Sequence, residues 1–243
     1  MTVHLVGGGP GDPDLITVRG LELLREADAV VYDELAPLEL LAELPATALQ
    51  IPRAGMRQRQ IDELLVSLGR RFETVVRLKG GDPFLFGRGR EEVDALTVAG
   101  IPCEVVPGVS ALTAVPASAG IPLTHRGLSA QVTVITARSA ADDDLDFDQL
   151  AQTAGTLVVF MGVARLEELA ERLVAAGKAA DTPAAVIANG TTERQETVVG
   201  RLDEIAHLAR GVSSPALTVI GPTAAFALAD PCLSEPTSRL ALV

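Results

Sequence analysis

Tryptophan is absent from the 243-residue chain, and one tyrosine and six phenylalanines supply all its aromatic rings, 3% of the residues. A core must therefore be built from Ala, Val, Leu and Ile. So few flat side chains argue against a protein that grips single-stranded nucleic acid by base stacking. Lysine is nearly missing as well: of 20 basic residues only Lys79 and Lys178 are lysines. The net charge of −12 speaks against general binding to a phosphate backbone. The two cysteines, Cys103 and Cys232, form no CxxC pair, so neither a disulfide framework nor a zinc site is expected. Cys103 opens the apolar run CEVV and reads as a buried core thiol. The three histidines, His4, His125 and His207, have no ligand spacing, and no metal is expected. No apolar run approaches the length of a membrane span. The chain opens straight into a strand pattern, with no basic leader segment. These absences predict a soluble protein in a reducing, cytoplasmic setting.

What is present is a repeated unit of apolar strand, Gly/Pro loop and helix, the sign of an α/β domain. Hydrophobic residues make up 48% of the chain, enough for one large core or two small ones. Residues 3–6 read as a buried strand, followed by the loop GGGPGDP and a helix over 17–27. The dinucleotide fingerprint G-x-G-x-x-G fails there, because Asp12 stands at its sixth position and Pro10 and Pro13 stiffen the turn. A wall for a flat or uncharged ligand fits better than a phosphate cradle, with a plain βα turn as the bland alternative. A second strand, 29–32, ends at Asp33. That carboxylate either caps the next helix, expected over 37–43, or works as a catalyst on the rim where parallel strands end. A short strand over 49–51 is cut by Pro52. Helices are expected over 60–68, 91–99 and 110–119, and strands over 75–78 and 104–106.

The stretch VVRLKGGDPFLFGRGR, 75–90, gathers glycines, Asp82 and arginines where a strand stops, the usual place for a ligand in an open α/β sheet. Between Arg53 and Arg90 stand nine cations against four acids, in a chain that is otherwise acidic. A solvated charged face is the plain reading. The sharper one is a cationic rim that holds a polycarboxylate, since the arginine fork matches carboxylates. The aspartates at 142, 143, 144, 146 and 148 read as a solvated loop before a helix rather than a metal site. Further on, strands are expected over 132–136, 156–161, 184–187, 195–199 and 216–220, with helices over 165–176 and 202–209. The expected division is a first domain over 1–120, a second with a mixed sheet over 121–230, and a loose tail over 231–243.

Taken in order, VGGGPGDPDLITVRG, VVYDEL, VVRLKGGDPFLFGRG, GIPCEVVPGVSA, GIPLTHRG, VVFMG, ANGTTERQ and SPALTVIG resemble the uroporphyrinogen-III C-methyltransferases, members of the tetrapyrrole methylases. The resemblance covers about residues 3–222. It implies a two-domain α/β fold with the active-site cleft between the domains, usually a homodimer. It also implies S-adenosyl-L-methionine as cofactor, with S-adenosyl-L-homocysteine as its product. By position, Pro10, Gly80, Gly81, Asp82, Leu85, Ser110, Ala111, Met161 and Gly190 match cofactor contacts. Within that match, Asp82 is expected to meet the sulfonium or the amino-acid end of the cofactor. Asp33 matches a proposed proton acceptor, and Arg53 and Arg88 fall to the substrate's carboxylates. The reaction implied is two methyl transfers to uroporphyrinogen III, giving precorrin-2 for siroheme or cobalamin. The chain departs from the family pattern at Pro52, where a lysine is usual. It departs again in the shortened segment 56–60, which has no histidine, and at Thr136-Ala137-Arg138 in place of threonine-glycine-histidine. Two other readings stand beside this one: a relative acting on another corrin precursor or small molecule, and a cofactor-binding regulatory module, which the altered Pro52 region motivates. A nicotinamide oxidoreductase is a third, against which the missing third glycine speaks.

Overall fold

A computed structural model describes residues 1–137 and 145–228. The aspartates at 142–144, Arg138, Cys232 and the tail 231–243 lie outside them. The chain divides into two compact units, Met1–Ala111 and Leu112–Val243, a division that falls ahead of the residue 120 expected from the sequence.

The first unit is built on a five-stranded sheet in the order β3-β2-β4-β1-β5, with every neighbouring pair parallel. The strands are β1 (Thr2–Gly7), β2 (Ala29–Tyr32), β3 (Leu49–Pro52), β4 (Thr74–Lys79) and β5 (Cys103–Val106). The central strands are apolar on both faces because helices cover both. On one face, Val6, Val30, Val76 and Leu78 pack with Leu23 and Leu24 of α1 (Val18–Arg25) and Leu40 of a 3₁₀ helix, Leu38–Glu43. On the other, Val3, Leu5, Val31 and Val75 pack with Ile61, Leu65 and Leu68 of α2 (Gln58–Gly69) and Leu96 of α3 (Gly89–Val98). Thr17 starts α1 by accepting the Gly20 N–H, and the Gln60 side chain starts α2 by accepting the Arg57 N–H.

Helix placement decides where a ligand can sit. β1 runs on into α1 on one face, while its neighbour β4 runs on into α3 on the other. The sheet therefore opens a crevice outside the C-terminal ends of β1 and β4, the switch point of a doubly wound sheet.

The second unit holds a five-stranded sheet in the order β6-β7-β10-β8-β9. Its strands are β6 (Val132–Thr136), β7 (Thr156–Phe160), β8 (Pro183–Ala188), β9 (Glu196–Arg201) and β10 (Ala216–Ile220). Only β6 and β7 pair in parallel, so the sheet is mixed, as expected. One face packs on α5 (Phe147–Gln152), α6 (Leu166–Ala175) and α7 (Ile205–Leu208), while α4 (Ala111–Ser118) precedes the sheet in the chain. Asp146, from the acidic run, caps α5 through the Gln149 N–H. The helix expected over 202–209 shrinks to α7. Leu202 is instead buried, its N–H bonded to Thr182 O, and the chain turns before it coils. No helix among the described residues is long and apolar enough to cross a membrane.

Candidate active site

Five connections leave the C-terminal edge of the first sheet, and those after β1, β2, β4 and β5 meet largely through backbone. Gly8 N–H bonds Lys79 O at 2.7 Å, and Gly81 N–H bonds Gly9 O at 2.6 Å, so the loops after β1 and β4 are zipped together. A Cβ on Gly108 would strike Gly81 O, and one on Gly80 would lie 2.7 Å from Leu35 O. Only glycine permits these approaches. Asp82 completes the fastening: one carboxylate oxygen accepts the Phe84 N–H at 2.8 Å and the other accepts the Gly108 N–H at 3.1 Å. Its side chain holds the β4 loop to the β5 loop. Pro10, Gly80, Gly81, Asp82, Leu85, Ser110 and Ala111 are all partly exposed in or beside these loops.

In the second unit, Met161, Asn189 and Thr191 adopt left-handed backbone, with φ of 54°, 49° and 69°. Non-glycine residues held that way concentrate at ligand clamps and switch regions. Met161 is 43% exposed, whereas Gly190 is buried, with its would-be Cβ directed at Val115. Gln195 braces this loop. Its carbonyl oxygen accepts the Thr191 N–H at 2.8 Å and the Ser118 hydroxyl at 2.6 Å, and its amide donates to Ser118 O.

Asp33 does not cap a helix. The 3₁₀ helix Leu38–Glu43 begins at Pro37 with no side-chain cap, because the Asp33 carboxylate is taken by arginine. Arg77 Nη2 donates to Asp33 Oδ1 at 2.5 Å, and Arg53 Nη1 stands 3.7 Å from the same oxygen. Asp33, Glu34, Leu35, Arg53, Ala54 and Gly55 line a cavity of about 260 Å³. Arg53 reaches it because its N–H continues the β2–β3 ladder onto Tyr32 O. Pro52, one residue earlier, is exposed at the end of an edge strand and offers no proton donor.

The nine-cation rim is corrected by the structure. Arg77 and Lys79 are 1% and 2% exposed and belong to the interior, where Glu92 receives both. Arg59, Arg88 and Arg90 are neutralised by Glu63, Glu91 and Asp94. Arg88 is not among the residues lining the cavity; both its Nε and Nη2 hold Glu91. Four of the nine are left: Arg70 and Arg71 follow the C-terminal end of α2, and Arg53 and Arg57 lie in the β3–α2 connection, where Arg53 lines the cavity and Arg57 makes no ion pair among the described residues. Sequence reading missed the buried set of Arg77, Lys79 and Glu92. Its signal was two charges two residues apart in an apolar strand, which places them on one buried face. Cys103 is corrected too: the thiol is only half-buried, because β5 is an edge strand. Among the described residues no cluster of His, Cys, Asp and Glu could hold a metal.

The glycine loops thus present neutral backbone, and the one lysine beside them is turned away into Glu92. A phosphate would find no cation there, whereas an uncharged group could lie close against the backbone. A doubly wound sheet with neutral loops at its switch point and an arginine-held carboxylate at a cavity defines a small-molecule-binding α/β protein. The comparisons narrow that class. Residues 2–206 match the model of the Tetrapyrrole (Corrin/Porphyrin) Methylases. The chain is 46% identical over 230 residues to the S-adenosyl-L-methionine-dependent uroporphyrinogen III methyltransferase of Methanosarcina barkeri, covering 90% of each. It is 47% identical over 226 residues to siroheme synthase 1 of Yersinia enterocolitica, covering 90% of this chain and 48% of that one, so it spans about half the length of the siroheme synthases it matches. The crystal structure of uroporphyrin-III C-methyl transferase from Thermus thermophilus complexed with S-adenyl homocysteine superposes with a TM-score of 0.81 at 38% identity, over 92% of this chain and 98% of that one. The chain belongs to the tetrapyrrole methylases.

Proposed function

We propose that the protein is an S-adenosyl-L-methionine-dependent C-methyltransferase that converts uroporphyrinogen III to precorrin-2 by two methyl transfers, in siroheme or cobalamin synthesis. The observation that carries this reading is the match to the Methanosarcina barkeri enzyme over nine-tenths of both chains. S-adenosyl-L-methionine supplies an electrophilic methyl group on a sulfonium. Pro10, Gly80, Gly81, Leu85, Ser110 and Ala111 of the first unit hold the cofactor mainly by backbone, and Asp82 keeps their loops in register. Met161 gives a soft, polarizable wall, and Gly190 lets the backbone of its loop come close.

Arg53 binds a substrate carboxylate at the mouth of the cavity, and Arg88 serves a second one where Glu91 releases it. A substrate pyrrole carbon forms the new carbon–carbon bond while the sulfonium bond breaks and its electron pair stays on sulfur. The proton lost from the substrate goes to Asp33. A guanidinium is a poor proton donor, so the work of Arg77 and Arg53 is orientation and charge. A reducing cytoplasm and a homodimer belong to the same reading. The half-buried free thiol of Cys103 fits such a compartment.

The test is incubation of the pure protein with enzymatically made uroporphyrinogen III and methyl-labelled cofactor. Two labels per tetrapyrrole are expected, and Asp33→Asn should lower turnover by about 10² to 10⁴-fold. Cofactor binding without any labelled tetrapyrrole would instead identify a regulatory module. Label on a different corrin precursor alone would move the substrate while keeping the cofactor.

A further inference from the structure

Glu92, Arg77 and Lys79 take no step in that reaction, yet they are buried charges, 0%, 1% and 2% exposed. Buried ions are costly unless fully paired, and an apolar filler of like volume would often serve stability as well or better. Their geometry gives them another task. Along β4, Val75, Arg77 and Lys79 face α2 and α3, and Arg77 lies directly across from Val31 of β2. Asp33 follows Val31 by two residues and so emerges on the same face.

The Arg77 guanidinium makes four hydrogen bonds. Nε donates to Glu92 Oε1 at 3.1 Å, Nη1 to Leu78 O at 3.1 Å and Val31 O at 3.4 Å, and Nη2 to Asp33 Oδ1. Glu92, from the first turn of α3, is pinned in turn by Lys79 Nζ at 3.1 and 3.0 Å. Asp33 Oδ2 has no hydrogen-bond partner among the described residues, and the side chain is 16% exposed.

We infer that Arg77 is a positioning residue for Asp33, and that Glu92 with Lys79 locks Arg77 so that one oxygen, Oδ2, is left to take the substrate proton. The inference rests on the reading of Asp33 as proton acceptor. Lys79 and Arg77, both donating to Glu92, with Arg77 also donating to Asp33, then form a rigid brace running from beneath α3 to the cavity.

Glu92→Gln, Arg77→Lys, Asp33→Asn and the Asp33→Asn/Glu92→Gln pair test this. Glu92→Gln and Arg77→Lys are each expected to lower kcat by about 10 to 10²-fold, the cost of a misplaced reacting group. KM for the tetrapyrrole and cofactor affinity by calorimetry should stay within about twofold of wild type. The double variant should turn over no more slowly than Asp33→Asn alone, since residues acting through one group are not additive. A Glu92→Gln protein with wild-type kcat, losses that multiply with Asp33→Asn, or a fall in kcat matched by equal losses of both affinities each overturn the brace. Wild-type turnover in Asp33→Asn would sink the assignment of Asp33, and this inference with it. A slowed Asp33→Asn whose loss multiplies with that of Glu92→Gln in the double variant sinks the inference alone. A crystal structure of Glu92→Gln reads the same point without turnover: a rotated or split Asp33 carboxylate is expected, and one that superposes on the native position overturns it.

Discussion

Among the described residues, Thr218 holds the one buried side-chain oxygen with no hydrogen-bond partner. It is 1% exposed in β10, in register with Val159 and Val186 on the helix-covered face of the second sheet. An unsatisfied buried hydroxyl costs about 1–3 kcal/mol, and valine keeps its shape without the polar atom. Thr218→Val should therefore stabilise the protein by about 1 kcal/mol and raise Tm by about 2–4 °C, with methyl transfer unchanged. A lower Tm would show that the hydroxyl is in use. Cys103 makes a different residue-scale prediction. Burial, then the charges of Glu92 and Glu104, push its thiol up to about 11. Only the thiolate is nucleophilic, so at pH 8 about one thiol in a thousand is reactive. Iodoacetamide labelling of native Cys103, followed by peptide mass, should be slow at pH 8 and rise about tenfold per pH unit toward 11. Rapid labelling at pH 8 would contradict the burial. The sign for stability follows from the same shift. The unfolded thiol titrates near ~8.5, so this group's contribution is intact below that pH and is lost as pH rises through about 11.

At the scale of elements, the βα loops form one unit because glycine backbones touch. Gly108→Ala would drive a Cβ into Gly81 O and prise apart the Asp82–Gly108 bond. The expected cost is about 1–3 kcal/mol of stability. Cofactor affinity, measured by calorimetry, should fall at least about tenfold, since the loops proposed to hold it lose register. Unchanged affinity in a folded variant would remove these loops from the cofactor site. Strand positions are legible in the sequence where an apolar run breaks off: VHLV and VVRLK end in glycine and AVVY ends in Asp33, and all three became parallel strands around the crevice. Side-chain partnership was less legible. The spacing of Arg77 and Lys79 puts them on one face of β4, but nothing local shows that Glu92 arrives from α3, thirteen residues after Lys79, to pair with both. The role of Asp82 as a clamp was not legible, since Gly108 comes from the next βα unit.

For the whole molecule, the contest is between a net charge of −12 and Arg53, the one arginine lining the cavity, with Arg57 in the same connection. The proposed substrate is a polycarboxylate, so the first repels it and the second attracts it. Distance decides which wins. At about 10 mM ionic strength the Debye length is about 30 Å, as wide as a small domain, and an approaching anion feels the whole acidic chain. At about 150 mM it is about 8 Å, and only the charges near the cavity are in range. Most of the local cations are already neutralised by Glu63, Glu91, Glu92 and Asp94, which leaves Arg53 and Arg57 to act at short range. Long-range repulsion should therefore dominate at low salt. The value of kcat/KM for the tetrapyrrole is expected to rise as salt increases from about 10 to about 150 mM, and to fall again near 1 M, where a Debye length of about 3 Å weakens the arginine–carboxylate contacts themselves. Cofactor affinity should change little over the same range, because its loops offer neutral backbone. A kcat/KM that declines steadily from the lowest salt upward would mean that the local arginines outweigh the net charge at every distance.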